Sequence, residues 1–236
     1  MGLDQRKENI LDFIVRDYIE TATPVSSGRV SKGSSKRELA VSPATIRNIM
    51  LELDCDDYLY QPHTSAGRAP TEKGYRYFVD NLMEIENPSE AIRSDLDKIL
   101  NEFASESESV FDEFGKALAR HLNLFSGFGF LDGVSPRIFG HGLPEVLREP
   151  EFFEHSMAIR FADFAENINQ NIKKYSDTDT DAKGFGVVKI IFKDSDFGEC
   201  VVFSAGPQRM DYEKAKSVLE YAAGDIKKRK NRKKYG

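Results

Sequence analysis

The residues best placed for chemistry in this sequence are Thr45, Arg47 and Asn48, which crowd the start of the stretch Val41-Ser-Pro-Ala-Thr-Ile-Arg-Asn-Ile-Met-Leu-Glu-Leu53. Arg and Asn carry paired polar atoms that match the edges of guanine and adenine in the DNA major groove. The chemistry is therefore recognition rather than catalysis, and it requires a rigid element that projects these side chains together. The sequence supplies one. Ser42 offers an N-cap oxygen, and Pro43 takes the first helical position, where its missing N–H is not needed. Ile46, Ile49, Met50 and Leu53 then recur at i, i+3, i+4 and i+7, which predicts a helix with one buried stripe and Thr45, Arg47, Asn48 and Glu52 opposite it. In a helix-turn-helix the second helix enters the major groove with its N-terminal residues against the bases. An ordinary amphipathic helix with a solvated polar face is the alternative that this stretch alone leaves open.

The flanking segments are those such a helix would need. Gln5 to Thr21 reads as a first helix with Ile10, Leu11, Ile14, Tyr18 and Val15 as inward candidates, closed by Thr21-Ala-Thr-Pro24. Ser26 to Lys32 reads as a short second helix, followed by a basic turn containing Lys36 and Arg37. After the recognition helix, Tyr58 to Pro62 is strand-like, His63 to Pro70 is a turn of small residues leading to a returning strand, and Thr71 caps a helix running to Met83. Ser42, Lys36, Arg37, His63, Thr64, Ser65 and Arg68 are the candidates for holding phosphates, with Lys73 and Arg76 in reach of the DNA backbone. Arg68 is also a candidate for the minor groove. A self-capping turn without a ligand is the alternative for His63 and Ser65.

Charge is distributed unevenly. The net charge is −6, yet Ser26 to Met50 holds five basic residues and a single acid, and the last eleven residues hold seven more basic ones. The intervening residues 81–225 carry −12. The tail from Lys227 is either a solubilising extension or a weak DNA contact. No apolar run is long enough to cross a bilayer and the N-terminus is charged, which predicts a cytoplasmic protein. Cys55 and Cys200 lack paired spacing, so no disulfide framework or zinc site is expected. The four histidines lie in different segments and no nucleophile motif or carboxylate pair emerges, so neither an enzyme nor a cofactor or metal site is expected.

Four motifs in order, Val41 to Asn48, Tyr58-Leu59, Gln61-Pro-His-Thr-Ser-Ala-Gly-Arg68 and Pro70-Thr-Glu-Lys-Gly-Tyr-Arg-Tyr77, resemble the N-terminal domain of the heat-inducible transcription repressor family HrcA. The resemblance implies a winged helix-turn-helix repressor that binds double-stranded DNA as a homodimer, at an inverted repeat called CIRCE upstream of chaperone operons, and that the chaperonin GroEL keeps active. Two differences stand out: the turn from Ser31 to Ala40 is longer than the family's, and Ile49 replaces a usual acid or amide. Arg137 to Phe152 and Gly206-Pro-Gln-Arg-Met-Asp-Tyr212 resemble segments of the family's second, GAF-like domain. The chain is shorter than the family's usual length, lacking a middle part with its inserted dimerisation domain, which identifies it as a shortened member.

The resulting expectation is an α+β protein with an N-terminal winged helix-turn-helix followed by a reduced GAF-like α/β domain. The boundaries are a DNA-binding domain over 1–83, a helical connector over 84–121, a regulatory or dimerisation domain over 122–226 and a basic tail over 227–236. The long apolar helix from Ser89 to Asn123 serves core packing or a dimer contact. Leu122 to Leu131 alternates toward strand, Glu154 to Tyr175 is a helix with Ile159, Phe161, Phe164, Ile168 and Ile172 inward, and Ser176 to Asp181 is a solvated acidic loop. Phe185 to Phe192 and Glu199 to Ser204 form a hairpin, and a helix follows through Lys228. Other functions consistent with this organisation are a small-molecule-responsive winged-helix regulator and a winged-helix protein-interaction module.

Overall fold

The computed structural model describes residues 2–34, 42–102, 108–132, 136–194 and 197–233, and divides into two compact units, Met1–Met83 and Glu84–Gly236. The protein mixes helix and sheet in the α+β manner. Lys36 and Arg37 lie outside the described residues.

The first unit opens with α1 (Gln5–Thr21), capped by Asp4, whose carboxylate accepts from the backbone of Arg6 and Lys7. Its buried residues are Ile10, Leu11, Ile14 and Val15; Tyr18, expected inward, is half-exposed. Next come α2 (Ser27–Ser34) and α3 (Pro43–Cys55), with Ser42 as the N-cap and Ile46, Ile49, Met50 and Leu53 buried, the stripe that the periodicity predicts. Beyond α3, Asp57 adopts a left-handed φ of 63°, which turns the chain sharply into a hairpin. That hairpin is minimal: β1 (Leu59–Tyr60) and β2 (Ala69–Pro70), antiparallel with Leu59 opposite Pro70. Thr71 caps α4 (Glu72–Tyr77), which continues as a π-turn over Phe78–Leu82. Tyr77 returns the chain to its start by donating to Glu8 Oε1 at 2.7 Å and accepting from the Leu3 N–H at 3.0 Å.

In the second unit, α5 (Glu90–Asn101) and α6 (Glu108–Leu122) precede β3 (Phe125–Phe130) and β4 (Arg137–His141). Then follow α7 (Leu143–Val146), α8 (His155–Glu166), α9 (Ile168–Asn171), β5 (Thr178–Ala182), β6 (Phe185–Asp194), β7 (Gly198–Pro207) and α10 (Tyr212–Lys233). The five strands pair antiparallel in the order β4-β3-β7-β6-β5. Alternation along β3 divides the core. Phe128 and Phe130 face α6, where Phe111 lies 5.3 and 5.0 Å from their ring centroids. Phe125 faces the other way, toward Phe161 of α8 and Phe203 of β7.

Several expectations change here. Residues 84–121, expected as a connector, belong to the second unit, because the apolar side of α6 is occupied by the sheet. The predicted helix from Glu154 to Tyr175 is broken at Asn167 and ends in a 3-10 turn over Ile172–Lys174, and Ile159, expected inward, is 56% exposed. The acidic loop is instead partly strand: in β5, Thr180 and Ala182 point in while Asp181 is exposed, a period of two written in small and charged residues.

Two predictions test this packing. Phe111→Ala removes a ring that touches Phe128, Phe130, Phe139 and Phe197, and urea denaturation should show a loss of about 3–5 kcal/mol in the second unit. Asp95 ties α5 to α6 by accepting from His121 Nε2 at 2.7 Å and Arg120 Nη2 at 2.9 Å, and the His121 hydrogen bond, followed by the Arg120 one, holds its carboxyl below the usual carboxylate range. Its depressed folded-state pKa contributes stability that is present above the unfolded value of 3.8 and lost as pH falls through the folded value. Acid unfolding below pH 4 should therefore be shallower in Asp95→Asn than in the parent protein.

Candidate nucleic-acid interface

The candidate site lies within the first unit and is built from α3 outward. The Ser42 hydroxyl accepts from the Thr45 N–H at 3.1 Å and contacts the Thr45 hydroxyl at 2.9 Å, so the two predicted polar residues at the helix start are locked to each other. The cap leaves the remaining N–H groups of the first turn pointing outward, with no acid in that turn, an arrangement that attracts anions. Thr45 is half-exposed; Ser42, Arg47 and Asn48 are exposed. Among the described residues Arg47 and Asn48 have no hydrogen-bond or ion-pair partner, so the structure leaves their polar ends available.

Negative charge gathers at the opposite end of α3, in Glu52, Asp54, Asp56 and Asp57, where it opposes the helix dipole. Three cations answer it. Lys7 lies 3.0 Å from Glu52 and 3.4 Å from Asp56, and the hydrogen bond to Glu52 holds its ammonium above the usual lysine range. Lys73 donates to the Asp56 carbonyl at 2.6 Å while sitting 4.2 Å above the Tyr58 ring. Arg68 pairs with Asp54 at 2.8 Å, its side chain only 11% exposed. Neither Arg68 nor Lys73 is therefore poised for phosphate in this structure, contrary to the sequence expectation. Arg68 is paired with Asp54 in the last turn of α3, and Lys73 is held by the Asp56 carbonyl just beyond it.

The hairpin tip behaves differently. His63, Thr64 and Ser65 are exposed around a turn closed by the Ala66 N–H donating to the His63 carbonyl at 2.8 Å. Gln61, which sequence reasoning passed over, holds this turn from beneath: its amide donates to the Thr64 and Ala66 carbonyls at 3.0 and 2.9 Å. At the hairpin's base the backbones of Val25 and Arg68 exchange two hydrogen bonds of 2.8 and 2.9 Å. A Cβ on Gly67 would stand 2.3 Å from the Val25 carbonyl, so only glycine permits that approach. The structure thus brings Ser42, Thr45, Arg47 and Asn48 together on one helix end, puts His63, Thr64 and Ser65 on one tip, and turns Arg68 into the strut between hairpin and helix. The signal that could have found this role is Asp54 itself, an acid otherwise unmatched at the end of a helix.

No family model matches this chain. The heat-inducible transcription repressor HrcA of Desulforudis audaxviator strain MP104C is 57% identical over 90 residues, covering 38% of this chain and 25% of that protein. The HrcA of Alkaliphilus metalliredigens strain QYMF is 47% identical over 127 residues, covering 52% of this chain and 35% of that protein. The chain thus matches about a quarter to a third of the length of these curated relatives. A solved structure described as a hypothetical protein at 2.2 Å resolution superimposes with a TM-score of 0.59 at 21% identity, over 96% of this chain and 97% of that one, a likeness of fold.

The strut is open to a double-mutant cycle. Arg68→Ala and Asp54→Asn should each destabilise the first unit by on the order of 1–3 kcal/mol. The double variant should lose less than the sum by at least about 0.5 kcal/mol in chemical denaturation, whereas strict additivity would mean that the pair carries no coupling.

Proposed function

We propose that this chain, an HrcA-family sequence over the half it shares with those repressors, is a DNA-binding repressor of heat-shock genes that reads its operator through α3. The observation that carries the reading is the exposed pair Arg47 and Asn48 at the capped start of α3, without a partner among the described residues, in a unit that also carries an exposed hairpin tip. In this reading the first unit is a winged helix. Arg47, Asn48 and Thr45 meet base edges, Ser42 and the first-turn N–H groups meet a phosphate, and His63, Thr64 and Ser65 bring the wing tip against the backbone. Lys36 and Arg37 stay in the reading on sequence grounds as further phosphate contacts. Arg68 leaves it and acts through geometry.

The operator in this proposal is a CIRCE-type inverted repeat, which two copies of α3 related by a two-fold axis would read as two half-sites. The second unit is then the GAF-like regulatory and dimerisation part, and the chaperonin GroEL is the partner that sustains repression. Nothing in this mechanism makes or breaks a covalent bond. The relatives' name, transcription repressor, and the lack of membrane-spanning helices among the described residues are consistent with a protein that acts on DNA by occupancy.

The deciding experiment is a titration of the full chain against the inverted-repeat duplex, a half-site and a scrambled duplex. Tight binding should require the whole repeat and should weaken roughly 10³- to 10⁵-fold between 50 and 200 mM salt if six to ten phosphates are neutralised per dimer. Equal affinity for all three duplexes would remove the proposal. Arg47→Ala should cost about 1–3 kcal/mol on the repeat and little on scrambled DNA. Losses of the same size on both would reassign Arg47 to the phosphates.

A further inference from the structure

The exposed face of α3 does not end with Asn48. Leu51 follows Arg47 by four residues and Asn48 by three, so it stands on the same face, between them and one turn further along. It is 46% exposed, although the helix already buries Ile46, Ile49, Met50 and Leu53 on the opposite side. Ala44, one turn before Asn48, is exposed on this face as well. A branched apolar side chain thus occupies the middle of a surface whose other members are Arg47, Asn48 and Glu52. Core packing gives it no role there.

The major groove offers one apolar feature at its floor, the C5-methyl of thymine. At a rise of about 1.5 Å per residue, Leu51 sits about 6 Å along the axis from Arg47, which is roughly two base steps. We propose that Leu51 is a specificity-determining residue that packs against a thymine methyl in each half-site, about one to two base steps from the base that Arg47 or Asn48 reads. The inference rests on α3 being the recognition helix. It divides the work on that helix: polar pairs at the start select purine edges, and the leucine selects the methyl that separates thymine from every other base.

Uracil is the matching probe, because it pairs as thymine does and lacks only the methyl. Each thymine of the inverted-repeat duplex is replaced singly by uracil, and the full chain and its Leu51→Ala variant are titrated against every duplex. Alanine is the strongest helix former and the site is half-exposed, so the variant should retain the parent's circular dichroism and melting temperature. The expected result is one thymine per half-site whose conversion to uracil weakens the parent roughly three- to tenfold. Leu51→Ala should show a similar loss on the thymine duplex and no further loss on that uracil duplex. A parent that ignores every replacement, or a loss that persists undiminished in Leu51→Ala, overturns the inference. A scrambled duplex separates the two levels: if the parent prefers the repeat while the uracil scan is flat, Leu51 alone is wrong, and if it shows no preference, the recognition-helix reading fails and takes Leu51 with it.

Discussion

The arrangement of α3 and the hairpin in the first unit depends on how Arg68 is held. Its backbone exchanges two hydrogen bonds with Val25, and its guanidinium reaches back to Asp54 at 2.8 Å. One residue therefore joins the turn after α1, the returning strand of the hairpin and the last turn of α3. A largely buried ion pair is favourable only when its geometry is fixed beforehand. Here the backbone bridge fixes one partner and the helix fixes the other. Gly67 makes the bridge possible by lacking the Cβ that would strike Val25, and Gln61 keeps the tip folded beyond it. The hairpin's angle to α3 is thereby set by side chains that need never touch a ligand.

How much of this was legible in the sequence follows from how local each determinant is. The cap at Ser42, proline at the first helical position and the four-residue apolar stripe are all written within α3 itself, and the structure reproduces them. The left-handed turn at Asp57 is equally local. Arg68 looks available in the sequence because its partner lies on another element: a guanidinium near a hairpin tip reads as free until Asp54 is placed beside it. The same holds for Lys73, whose acceptor is the carbonyl of Asp56 rather than any side chain a pattern could reveal. In the second unit, β6 and β7 announce themselves through β-branched alternation. Strand β4 has no fully buried residue, and the inward positions of β5 include Thr180 and Ala182, so neither carries the apolar contrast that pattern reading relies on.

The second unit has its own long-range tie, and it joins two segments that the family resemblance marks separately in the sequence. Arg209, within Gly206 to Tyr212, is mostly buried and pairs with both Glu149 and Glu151 of the Glu149-Pro-Glu151 run. Tyr212, fully buried, donates to the Gln208 carbonyl at 2.7 Å and so fixes the turn that presents Arg209. A run of residues that looks like a signature in the linear sequence is thus two halves of one charge-paired joint, which closes the chain after β7 onto the segment before α8. Resemblance located these residues without saying why they are needed; the pairing supplies the reason.

The two outer strands of the five-stranded sheet have a consequence beyond folding. An open sheet edge presents unpaired backbone groups and is a template on which another chain can assemble. On β5, the Asp179 carboxylate is turned onto the backbone N–H groups of Ser176 and Asp181, Asp181 accepts from the Gly184 N–H, and the pairing with β6 shifts register between Asp179 and Ala182. On the far side β4 is five residues long, opens with a charged Arg137 and has a glycine at position 140. Short, charged and irregular borders of this kind discourage runaway strand addition. Neither border therefore offers a second polypeptide a long, regular row of backbone groups to pair with.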